Sequence, residues 1–190
     1  MMCPPESVQL STECVHMDNR DLETIFYDSL LCDIGGADKM EHVLVSACLL
    51  GAECRYDGKS MKAEGIEELA KLCSLVPVCP EIYGGLPTPR IPAERIGDKV
   101  LNKEGINVTA QYEKGAKTAL DFARFWNCRY ALLKERSPSC GKGMIYDGTF
   151  SGGLKEGNGV AAELLSENGI IIYGESRIAE LIEVLKTCGS

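Results

Sequence analysis

Three cysteines stand just beyond short apolar runs that read as buried strands. Cys48 ends "VLVSAC", Cys79 ends "LVPVC", and Cys140 follows "YALLKERS" within "SPSCGKG". In an open parallel sheet, ligands bind beyond the carboxyl ends of the strands. Three separate segments therefore deliver a thiol to one edge, and Cys54 reaches the same edge through the loop after the first strand. A lone buried cysteine is ordinarily a small hydrophobe, but strand ends that face a crevice are poor places for core filler. Three converging thiolates suit zinc with an open fourth position or an iron–sulfur cluster, and the spacing does not separate the two. A redox pair of Cys48 and Cys54 is a third reading.

Polar residues flank these thiols. "CPEIYGGLPTPR" sets Glu81 two residues after Cys79, where a carboxylate could act as a general base or stand solvated on its loop. "RSPSCG" sets Ser137 and Ser139 beside Cys140. Either serine could orient water or substrate, and either could simply cap the turn around Pro138. Arg55, Asp57, Arg90 and Arg136 lie in the same loops, where salt bridges that tie the loops together account for them as well as substrate contact does. "SCGKG" lacks the full phosphate-loop string, so it does not signal a nucleotide site.

The elements that position these groups follow from apolar periodicity. Strands are expected at 43–47, 75–79, from 130 and at 170–174. Helices are expected over 61–74, 110–126, 160–169 (closed by Asn168-Gly169) and 176–187, with Ser176 as N-cap. Pro77 argues that the second strand lies at an edge or carries a local irregularity. Residues 100–109 read as a small hairpin or loop excursion, and the stretch from the third strand to about Gly159 as loop. Strands alternating with helices give an α/β fold, a Rossmann-like parallel sheet of about four strands with helices on both faces. Residues 1–42 read as an N-terminal extension with one short amphipathic helix around Leu22, Ile25, Phe26, Leu30 and Leu31, and residues 43–190 as a single α/β domain.

Composition narrows the function classes. The chain has 190 residues, 45% of them hydrophobic and 25% charged, which suits one globular α/β domain with an appendage. A net charge of −8 disfavours bulk nucleic-acid binding. The sequence shows no membrane-length apolar run and no secretory leader, so a cytoplasmic protein is expected. Ten cysteines include no C-x-x-C pair, which argues against a zinc ribbon or a thioredoxin-like motif. Both histidines, His16 and His42, precede the expected core, which disfavours histidine-based catalysis. Cys73, Cys128 and Cys188 read as packing, and Cys3, Cys14 and Cys32 fall in the extension.

Four strings, "SACLLGAECRYDG", "VPVCPEIYGGLPTPR", "ERSPSCGKGMIYDGTFSG" and "GNGVAAELL", together resemble the thiouracil desulfidase family over roughly residues 43–175. The resemblance implies a 4Fe–4S cluster held by three cysteines with one iron not bound by protein, a group that air can strip. It also implies non-redox removal of sulfur from a small thiolated pyrimidine. Matched motif by motif, Cys48, Cys79 and Cys140 would be the ligands with Cys54 in reserve. Glu81 would be the catalytic acid–base residue, and Ser137 or Ser139 its partner. The alternatives are a three-cysteine zinc or cluster protein of other activity, or a thiol-redox protein.

Overall fold

In a computed structural model of the chain, which describes residues 40–188, four parallel strands pair in the order β2-β1-β5-β8. These are β1 (His42–Ser46), β2 (Ser74–Val78), β5 (Tyr130–Leu133) and β8 (Ile171–Gly174). Val43, Leu44 and Val45 of β1 are all buried, as expected for a strand covered on both faces. β2 is an edge strand, so Pro77 costs no hydrogen bond to a second neighbour.

Among the described residues five helices follow the strands: α1 (Ile66–Leu69), α2 (Pro80–Tyr83), α3 (Thr109–Phe125), α4 (Val160–Glu167) and α5 (Ile178–Cys188). On one face α1 and α5 cover Val43, Val45 and Leu132, through Ile66, Leu69, Leu181 and Leu185. On the other, α3 and α4 cover Leu44, Val78 and Leu133, through Ala119, Ala123, Ala162 and Leu165. The expected Rossmann-like α/β architecture is the observed one. No helix among the described residues is long and apolar enough to cross a membrane. The extension expected over 1–42 lies outside the described residues as far as 39.

Several local expectations change. β1 stops at Ser46, and Cys48 sits in a 3₁₀ turn, Ala47–Leu50, closed by Gly51 at φ 100°. The helix expected over 61–74 shrinks to the single turn of α1, because Gly65 enters at φ 84°. Ser176 is not the cap of α5. It lies in a 3₁₀ turn, Glu175–Arg177, and its hydroxyl bonds Glu135. The excursion expected at 100–109 is a hairpin that begins earlier, β3 (Ala93–Ile96) with β4 (Lys99–Asn102). The stretch read as loop before Gly159 contains a second hairpin, β6 (Met144–Tyr146) with β7 (Leu154–Glu156).

One packing contact sets the position of the segment after β2. α2 and α3 meet backbone to backbone at Gly84 and Gly115. A Cβ on Gly115 would lie 1.8 Å from the Pro80 carbonyl oxygen, and one on Gly84 would lie 2.0 Å from that of Gln111. A methyl group there cannot be absorbed by a side chain giving way, since the obstacle is main chain. Gly115→Ala is therefore expected to lower stability by about 1–3 kcal/mol and to displace α2, measured by denaturant unfolding. Away from the site, burial pushes the Cys73 thiol up to about 11 and the Cys128 thiol up to about 12. Mass-spectrometric mapping at pH 8 is expected to find both unreactive to maleimide in the native protein and labelled on unfolding.

Candidate functional site

The order of strands reverses at β1: the chain leaves it to one side for β2 and returns on the other for β5. The loops beyond the carboxyl ends of β1 and β5 diverge there and leave a crevice. A cavity of about 620 Å³ occupies that place, within the range of small-molecule sites. Cys48, Cys54, Cys79 and Cys140 all line it, with Glu81, Arg90, Tyr112 and Ser137.

Each group arrives on its own element. Cys48 comes from the 3₁₀ turn after β1, and Cys79 is the residue before α2, with Pro80 at the first helical position and Glu81 beside it. Cys140 ends a tight turn after β5. There Ser137 Oγ accepts the backbone N–H of Ser139 and of Cys140, each at 3.1 Å. The turn-capping role weighed for Ser137 is therefore real, and its hydroxyl still reaches Glu81 Oε1 at 3.5 Å.

The two serines part company. Ser137 lines the cavity, whereas Ser139 is 0% exposed and is not among the lining residues. The Ser139 carbonyl accepts the N–H groups of Ala161 and Ala162 at the start of α4. Its role is to hold α4 against the turn.

The four thiols are not equivalent. The Cys54 thiol stands beside those of Cys48 and Cys79, and the Cys54 backbone carbonyl accepts the Cys79 thiol at 3.8 Å. The Cys48 contact, aided by burial, raises the Cys54 thiol above the ordinary range, while the Cys79 contact opposes the rise. Cys79 is driven far up by its bond with Cys54 and by burial. Burial pushes Cys140 up to about 12, with the nearby Ser46 hydroxyl opposing the rise. No three His, Cys, Asp or Glu side chains among the described residues stand close enough to share a single metal ion. The donors do fit an iron–sulfur group in kind: four soft sulfur donors around one cavity, with no histidine in its wall.

Glu81 is the most constrained polar group. Arg90 Nε donates to its Oε2 at 2.6 Å, with the two side chains 6% and 14% exposed. Tyr112, from α3, lies buried near Glu81. Burial first, then the nearby carboxylate, drives its phenol well above the ordinary value. Arg55 lines the cavity and is paired with Asp57, two residues away in the same loop after β1. Arg136 lies on the cavity wall with its backbone in the left-handed region at φ 62°, immediately before Ser137.

Two participants escape sequence reading. Tyr112 looks like one more polar position on a helix, and only the depth at which α3 packs brings its hydroxyl to Glu81. Glu94 lies on β3, where its Oε2 accepts the N–H groups of Gly148 and Phe150 at 2.7 and 3.1 Å. With Lys155 Nζ on the Arg95 carbonyl at 2.6 Å, it clamps the two hairpins into one wall of the cavity.

Known proteins resemble this chain in sequence and fold. The sequence profile described as 2-thiouracil desulfurase matches residues 43–177. The uncharacterized protein YbbK of Bacillus subtilis (strain 168) is 41% identical over 150 residues, covering 74% of this chain and 99% of its own length. The solved structure of the 4Fe-4S-dependent thiouracil desulfidase TudS is 44% identical, covers 77% of this chain and 99% of its own, and superposes with a TM-score of 0.73. The match spans β1 through β8 and takes in every cavity residue that carries a thiol, so the chain belongs to the 2-thiouracil desulfurase family.

Proposed function

We propose that the protein hydrolyses the carbon–sulfur bond of a small thiolated pyrimidine such as thiouracil, using a 4Fe–4S cluster held by Cys48, Cys79 and Cys140. The reaction balances without electrons: a thiocarbonyl and water give a carbonyl and hydrogen sulfide. The observation that carries this reading is that Glu81 and Ser137, from different segments, meet over the cavity the cysteines line. Family membership and the likeness to TudS support the same chemistry.

In this reading the cluster, when bound, supplies an iron without a protein ligand, a Lewis acid that polarises the thiocarbonyl sulfur. The protein's own residues handle the water. Ser137 Oγ already receives two backbone N–H groups, so its own proton points outward and its position is fixed. Glu81 Oε1, which the Ser137 hydroxyl reaches at 3.5 Å, takes the proton from a water standing beside the pair on the cavity side. That water attacks the ring carbon, and the proton on Glu81 is then available to the departing sulfur. Ser139, buried behind the turn, plays no part at the reacting atoms.

Cys54 distinguishes this reading from a thiol-redox one, which its contacts with Cys48 and Cys79 would favour. With Cys54 beside the cluster and not a ligand, the Cys54→Ser protein retains iron and releases hydrosulfide. A redox mechanism would lose activity with any metal still bound. A cytoplasmic setting accords with six free cysteines among the described residues.

Anaerobically prepared protein is expected to be brown and to contain iron and acid-labile sulfide. Cys48→Ser, Cys79→Ser and Cys140→Ser should each lose both; colourless zinc-bound parent protein would sink the proposal. Glu81→Gln should keep its iron while hydrosulfide release from 4-thiouracil falls by about 10²- to 10⁴-fold. Release at the parent rate would remove Glu81 from the mechanism.

A further inference from the structure

Arg90 is spent entirely on the site, yet it neither bears sulfur nor meets Ser137. Its Nε donates to Glu81 Oε2 at 2.6 Å, Nη2 to the Cys54 carbonyl at 3.1 Å, and Nη1 to the Pro87 carbonyl at 3.2 Å and Thr88 Oγ1 at 3.3 Å. Its backbone N–H donates to the Tyr56 carbonyl at 2.8 Å. Every guanidinium nitrogen therefore has an acceptor, and the planar fork fixes their relative directions. The same Cys54 carbonyl receives the Cys79 thiol at 3.8 Å, so one backbone oxygen joins the arginine to the sulfur set.

For Glu81 the result is geometric. Arg90 occupies Oε2, which leaves Oε1 as the oxygen turned toward Ser137. Tyr112 lines the same cavity, buried, with its phenol near the carboxylate. A carboxylate freed from this hold could still carry a proton, but its free oxygen would no longer stand where Ser137 holds water.

We propose that Arg90 is a positioning residue that fixes which oxygen of Glu81 faces the cavity and acts on the reaction through Glu81 alone; the role rests on the desulfidase reading above. A purely structural arginine would hold the loops and cost the same whatever stands at position 81. A positioning arginine has nothing to position once Glu81 is gone.

The test is hydrosulfide release from 4-thiouracil by the iron-loaded protein, its Arg90→Gln and Arg90→Lys variants, Glu81→Gln, and the two combined variants. Arg90→Gln is expected to lower kcat by about a hundredfold, with KM and iron content at parent values. Arg90→Lys should recover only part of the loss, because an ammonium cannot reproduce the fork. In the Glu81→Gln background neither Arg90 change should lower the rate further. If Arg90→Gln fails to fold, Arg90→Lys carries the same comparison. An undiminished kcat, loss of iron in step with rate, or an equal loss in both backgrounds would overturn the proposal. A parent protein that releases no hydrosulfide would instead overturn the desulfidase reading, and this role with it.

Discussion

Parallel pairing of β1 with a neighbour on each side is the constraint on which the site depends. Val43–Val45 of β1 pair with Leu75–Pro77 of β2, and with Tyr130–Leu132 of β5. Because all three strands run the same way, their following loops emerge at one edge, and the reversal of strand order at β1 opens that edge into a crevice. Cys48, Cys79 and Cys140 are 31 and 61 residues apart along the chain, yet the sheet register alone brings their segments to one cavity. The apolar core that secures the register therefore also secures the sulfur set.

Within that frame, polar contacts do the fine placement. Backbone N–H groups aim Ser137, Arg90 holds Glu81, and Glu94 with Lys155 binds the hairpins into a wall. These contacts are short, directional and partly charged, and several lie where water is largely excluded, so each is expensive to leave unmade. Direct backbone contact of α2 with α3 at Gly84 and Gly115 belongs to the same set, since it fixes the helix that bears Glu81. A site built this way tolerates little displacement, which suits chemistry that depends on where one water stands.

Much of this was legible in the sequence because the strands are continuous apolar runs and their ends carry unusual residues. The β1, β2, β5 and β8 segments, the edge position that Pro77 implies, and the convergence of Cys48, Cys79, Cys140 and Cys54 all follow from that pattern. What was not legible depends on contacts between segments remote in sequence. Periodicity could not reveal that Gly65 would cut α1 to one turn, that Ser176 would turn to Glu135, or that β6 and β7 would pair. The choice between Ser137 and Ser139 likewise lies beyond spacing. The turn around Pro138 sends one side chain to the cavity and the other into the interior, and only the packing of α4 against Ser139 decides which.

In the proposed reaction this chain hydrolyses a thiocarbonyl without net electron transfer. Mass spectrometry of the pyrimidine formed when the anaerobic, iron-loaded protein meets 4-thiouracil in ¹⁸O-labelled water, with no reductant added, tests it most directly. The expected product is uracil carrying one solvent oxygen, formed in equal amount to the hydrosulfide released. Unchanged 4-thiouracil, or sulfur that leaves only when a reductant is supplied, would contradict it.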